Sequence, residues 1–268
     1  MNKTGNTGTH IEPSKRIGYL NKPEWAWEYL RRNPEFHTAW RKASNAFEIV
    51  TESATRKIVI SHGKTNPFEP WGCLFTDAPD VPAGTATVFW DPTRFRGTLC
   101  GVSIALGTQT FSQHFSLDEL KCPVVLLLAP GGRQHLLFLE NGCGLQLAIN
   151  GVDIRAPVHF LAHALLDANR IKTQIEAIRC LNELLINNRL LSPHYLSDPP
   201  SPRLGFVVKA LDGWLARMPH KDIAVTLFGA NRVRQDWYDP YEHLRDRVRK
   251  AIRQGKSLMG GGYLNLLE

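Results

Sequence analysis

Seven short apolar runs between about Arg56 and Leu147 constrain this chain more than any other feature. The runs KIVIS, GCLFT, TATVFW, TLCGVSIAL, VVLLLA, HLLFL and LQLAI are separated by Gly, Pro, Asp and Asn. Segments this short, bounded by turn formers, read as β-strands rather than helices. Within them, VVLLLAPGGRQHLLFLENGCGLQLAI carries two breaks, APGGRQ and ENGCG, and has the form of a β-meander. Pro67, Pro70, Pro79, Pro82 and Pro92 mark loop. The expectation is a small antiparallel sheet in the middle of the chain.

Both flanks change texture. Pro23 to Asn33 reads as a helix, with Pro23 suited to the first position, and Asn33-Pro34 ends it. A second helix follows in PEFHTAWRKASNAF, where Phe36, Ala39, Trp40, Ala43 and Phe47 recur in step. The two form an aromatic-rich helical hairpin whose tryptophans serve as packing anchors. Beyond the strands, Val158 to Leu191 returns to helical spacing through Leu161, Leu165, Ile171, Ile175, Ile178, Leu181 and Leu185. The segment SPHYLSDPPSP, from Ser192 to Pro202, has four prolines in eleven residues and reads as an exposed linker. The expected division is a flexible start over 1–22, an α+β region over 23–195 and a C-terminal domain over 196–268.

The chain has 268 residues, 43% of them hydrophobic, and a formal net charge of +7. That is enough for a sizeable core. The start of the chain carries no apolar run of a secretory signal, and PVVLLLAP is too short to span a bilayer. A cytoplasmic protein without a membrane partner is expected. The five cysteines form no CxxC pair, so reduced and mostly buried thiols are expected. Charge is uneven: residues 1–60 carry a net +4, residues 61–200 a net −2 and residues 201–268 a net +5. Basic ends around an acidic middle point to an anionic partner met by the ends.

The C-terminal stretch sharpens this. RLGFVVKALDGWLARM reads as an amphipathic helix with Phe206, Val207, Ala210, Leu211, Trp214 and Leu215 on its apolar side. HKDIAVTLF follows as a short helix stopped by Gly229. A longer helix starts at Asp239-Pro240, with Glu242 completing a capping box and Gly255 as a stop. In it Tyr241, Leu244, Val248, Ala251 and Ile252 share one arc, beside a row of Arg245, Arg249 and Arg253 with Arg247 and Lys250 farther round. Asp246 and Glu242 are too few to neutralise these bases by local pairing. Three helices in about fifty residues suit a helix-turn-helix-like DNA-binding module. Arginine forks can grip phosphate, or guanine O6 and N7.

These segments together resemble a known family. RLGFVVKALDGWLARMPHKDIAVTLFG, VRQDWYD, LRDRVRKAIRQGKSLM and GGGYLNLL resemble the C-terminal DNA-binding domain of the RovC-like transcription factors linked to type VI secretion. PEWAWEYLRRNPEFHTAWRKA, WGCLF and VFWDP resemble the transcriptional regulator-like segment that accompanies it. The resemblance implies a bacterial activator that binds double-stranded promoter DNA as a homo-oligomer, a hexamer in that family, with RNA polymerase as a further partner. Its DNA contacts are expected among Lys221, Arg232, Arg234, Arg245, Arg247, Arg249, Lys250, Arg253 and Lys256.

One departure stands out. Nine residues, ANRVRQDWY, separate Gly229 from Asp239, where a standard turn has about three or four. Either a short extra helix lies there, or Arg232 and Arg234 belong to the true recognition element. Enzyme chemistry has no foothold: no GxSxG elbow, P-loop or Rossmann fingerprint occurs. The pair His159 and His163 would share a helix face but lacks further metal ligands. No catalytic residue, cofactor or metal is expected. The rival reading is an assembly protein whose basic ends bind an acidic protein partner. The terminal MGGGYLNLL suits an apolar hook, docked within the chain or on a neighbouring subunit.

Overall fold

The computed structural model describes residues 20–107, 114–140, 142–163, 171–190, 201–238 and 243–268. Residues 192–200 of the expected linker and the expected cap at 239–242 lie outside these residues, while Ser201 and Pro202 are the cap and first residue of a helix. The start of the chain through residue 19 also lies outside them.

The chain opens with α1 (Lys22–Leu30) and α2 (Pro34–Ala43). Asn21 caps α1: its side chain accepts from the Glu24 N–H, and the Glu24 carboxylate accepts from the Asn21 N–H. Trp25 and Trp27 are each 1% exposed, as expected of packing anchors. Among the described residues nine strands follow: β1 (Phe47–Thr51), β2 (Arg56–Ser61), β3 (Cys73–Thr76), β4 (Val88–Trp90), β5 (Leu99–Ala105), β6 (Val124–Leu128), β7 (Gln134–Glu140), β8 (Cys143–Gly151) and β9 (Val158–His163). Then come α3 (Ile171–Asn187), α4 (Pro202–Leu215), α5 (His220–Phe228), α6 (Ala230–Asp236) and α7 (His243–Met259). A 3-10 turn over Gly262–Leu266 closes the chain.

All seven anticipated runs are strands, and β6, β7 and β8 form the anticipated antiparallel meander. The sheet is nevertheless neither small nor antiparallel. Seven strands run in the order β1-β2-β6-β7-β8-β5-β9, and β2–β6 and β5–β8 pair in parallel. These two long-range pairings enlarge it, while β3 and β4 form a separate ribbon. Phe47 begins β1 instead of ending a helix. Val158–His163 is an edge strand, so the helix expected from Val158 is described only from Ile171.

Side chains alternate across the sheet. Ile58, Leu126, Leu136, Leu147 and Leu99 stand opposite one another in consecutive strands and share a core with Ala177, Cys180, Leu181 and Leu184 of α3. Val59, Val125, Leu127 and Leu137 face the other way and pack on Phe75 and Phe89 of the β3–β4 ribbon. Burial of both faces explains why these runs are continuously apolar rather than alternating.

A third core joins the two ends of the chain. Trp25, Trp27, Tyr29, Leu30 and Phe36 pack with Val207, Val208, Leu211, Tyr263 and Leu267. The α1 helix is therefore buried on most of its circumference, not on one stripe. The Tyr29 hydroxyl donates to the Leu204 carbonyl at 2.9 Å, and the Asn33 amide to the Met259 carbonyl at 3.0 Å. The terminal apolar residues dock within the chain: Tyr263 is 1% exposed and its hydroxyl donates to the Trp71 carbonyl.

Candidate nucleic-acid interface

The described C-terminal region has four helices, not three. The extra helix is α6, which fills the overlong turn over Ala230–Asp236 and itself carries Arg232 and Arg234. Its link to α5 is Gly229 alone, with φ 85° and ψ 151°, a region essentially restricted to glycine. The α4–α7 helices share a small core of Ala210, Ile223, Ala224, Val233, Leu244, Val248, Ala251 and Ile252. Close approach of α4 and α7 depends on Gly255, where a Cβ would lie 2.9 Å from the Leu211 Cβ.

The α6 helix is held by one buried residue, Val233, which leaves Asn231, Arg232, Arg234 and Gln235 exposed. The Arg232 guanidinium lies 5.9 Å from the Phe228 ring centre, with Asp236 at 3.6 Å. Arg247, from α7, lies 4.7 Å from the same ring and 5.7 Å from the Phe206 ring. Stacking on aromatic faces orients both guanidiniums while their N–H edges remain available.

The α7 helix places its bases on both flanks of its buried strip. Leu244, Val248, Ala251 and Ile252 are buried, as the apolar arc required, while Tyr241 lies outside the described residues. On the flank away from Arg247, Arg249, Arg253 and Lys256 line a cleft of about 310 Å³ with Trp214, His220 and Ile252. The Lys256 ammonium sits 4.5 Å over the Trp214 ring, and Arg249 reaches Asp246 at 3.3 Å. Arg245, one turn before Arg249 on the same helix, is half-buried and does not line this cleft. Lys250 is exposed on the outer side. Lys221, in α5, sits 5.0 Å over the Tyr238 ring. Arg234, Lys250 and Arg253 make no ion pair among the described residues.

Sequence reasoning passed over Asn231 and Gln235, whose amides suit adenine edges, and over Trp214 and His220 in the cleft. The signal for the first two was the spacing of Asn231, Arg232 and Gln235 directly after a glycine stop. His159 and His163 belong to a strand, where residues four apart stand roughly 13 Å from each other. Among the described residues no group of three or more His, Cys, Asp or Glu could hold a metal, and no helix is long and apolar enough to cross a membrane.

Residues 165–268 match the family described as the DNA-binding domain of a type VI secretion (T6SS) transcription factor. Residues 12–75 match the proteobacterial transcriptional regulator-like domain. No curated protein matches the chain.

Proposed function

Because these two matched segments make the chain a RovC-like regulator, we propose that it recognises promoter double-stranded DNA through α6, with α7 gripping the backbone on either side. The observation that carries this is the α5–Gly229–α6 joint. It exposes Asn231, Arg232, Arg234 and Gln235 together on a helix anchored by little but Val233. Arginine and amide side chains are the base readers of the major groove. Lys250, Arg253 and Lys256 are suited to phosphate contacts, which supply affinity without sequence information.

Self-association belongs to the same reading. Ile171, Ile175, Ile178 and Ile186 are 39%, 45%, 41% and 66% exposed along α3, opposite the side that packs on the sheet. Such a stripe suits a second copy of the chain, and several readers on one site multiply a weak individual contact. Activation of type VI secretion genes is carried by the resemblance.

Gel-shift titration over a salt series tests the proposal, using promoter fragments from type VI secretion genes. Affinity should fall about a thousandfold or more between roughly 50 and 200 mM salt. Arg232→Ala with Arg234→Ala should erase the preference for promoter over unrelated DNA. Lys250→Ala with Arg253→Ala should weaken both equally and reduce the salt slope by about 2. Binding that is absent, or indifferent to salt, sinks the reading.

A further inference from the structure

A cavity of about 740 Å³ lies at the β7–β8 end of the sheet, enclosed by the start of α1, the first turn of α3 and the last residues of the chain. Its size falls within the range of small-molecule sites. Trp27, Trp90, Phe95, Leu137, Leu139 and Leu267 supply apolar walls. These walls come from the N-terminal helix, the sheet and the C-terminal module, so an occupant would touch all three.

The polar rim is unbalanced in what it has left to offer. Four carboxylates line it, but three are already engaged. Glu24 accepts from the Asn21 N–H at 2.8 Å. Glu140 is paired with Arg189 and accepts from the Leu190 N–H at 3.0 Å. Glu268 meets Arg96, which is not part of the lining, at 3.4 Å. Lys22, Lys121 and Lys172 also stand on the rim, and all three are exposed. None of them makes an ion pair among the described residues, although Glu176 is one turn from Lys172. Three uncommitted ammonium groups therefore face one uncommitted carboxylate above an apolar chamber.

We infer that this cavity is a binding site for a small organic anion, with the apolar body of the ligand against Trp27, Trp90 and Leu139 and its carboxylate or sulfonate among Lys22, Lys121 and Lys172. The site is separate from the basic helices, and its ligand class does not depend on how DNA is read. Its walls tie the two ends of the chain together, so occupancy stabilises their junction.

Anilinonaphthalene sulfonate, a fluorescent aromatic anion, is the probe. Titration of the full chain should give saturable single-site enhancement, reversed by decanoate but not by decanol. Lys121→Glu with Lys172→Glu, both at exposed positions, should weaken binding about tenfold or more. Leu139→Trp, which fills the chamber, should abolish it. Val152→Thr, at an exposed position just past the end of β8 away from the cavity, should leave it unchanged. The inference is overturned if decanol competes as well as decanoate, if the lysine and Leu139 variants both bind normally, or if no saturable site appears.

Discussion

Arg32, in the turn after α1, meets Asp212 in α4 through two hydrogen bonds, Nε to Oδ1 at 2.5 Å and Nη2 to Oδ2 at 3.0 Å. The same guanidinium pairs with the Glu28 carboxylate, which also accepts from Arg31 and from the Ala83 N–H. Burial alone would raise the Glu28 pKa. The hydrogen bond from Arg32, the Ala83 N–H and the two nearby guanidiniums outweigh it and hold the carboxyl below its ordinary value. Arg32→Ala removes the shared partner from a carboxylate only 7% exposed. It should cost about 3 kcal/mol, whereas Asp212→Ala, at the solvent end, should cost about 1 kcal/mol or less. Urea denaturation of the two variants measures the difference.

A second titration concerns His135 in β7. Burial, helped by Arg133, pushes its pKa down from 6.5 to about 4. The folded protein thus resists protonating a group that the unfolded chain protonates readily. This stability is complete above pH 6.5 and is lost as pH falls toward 4, by about 3 kcal/mol across the window. Denaturation curves between pH 7 and 5, before Glu28 begins to contribute, should show the decline. In His135→Gln that slope should be absent.

The glycines of the C-terminal module separate two kinds of constraint. Gly255→Ala should cost about 1–3 kcal/mol, because its Cβ would press the α7 backbone away from Leu211 and the Val207 carbonyl. Gly229→Ala meets no neighbour within 4 Å, yet its φ of 85° is strained for any side chain. It should cost a similar amount through backbone conformation alone. Thermal melts should show both losses, but only Gly229→Ala should alter promoter selectivity out of proportion to stability.

Replacing Ile175 and Ile178 by glutamate should leave the far-UV circular dichroism unchanged, since both are about two-fifths exposed, while the melting temperature loses its dependence on protein concentration. Light scattering should report smaller assemblies, and the affinity for a multi-site promoter should fall more steeply than for a single site.

The central strands were legible because glycine and proline punctuate them and burial on both faces makes them apolar throughout. Two strands were hidden by coincidence of period. Phe47 continues the helical spacing of Phe36, Trp40 and Ala43, so β1 read as the end of α2. Leu161 and Leu165 sit four apart, so β9 read as the start of α3. Parallel pairing of β2 with β6 and of β5 with β8 joins residues far apart in sequence, and local pattern carries no trace of it. In the basic module α4, α5 and α7 announced themselves by apolar spacing. The α6 helix did not, because it buries only Val233. An element built to display polar side chains gives up the periodicity by which helices are recognised, which is why the basic residues were found but their grouping was not.

The core that unites Trp25, Trp27 and Phe36 with Val207, Leu211 and Tyr263 has a consequence for how such chains can evolve. Its halves lie in two separately matching sequence segments with strands β4 to β9 between them in the chain. Exchange of either segment alone would deliver half of an interior to a stranger. Sequence change on one side must be answered on the other, so the two segments should be inherited together and diverge in step, as a lock and its key are recut as a pair.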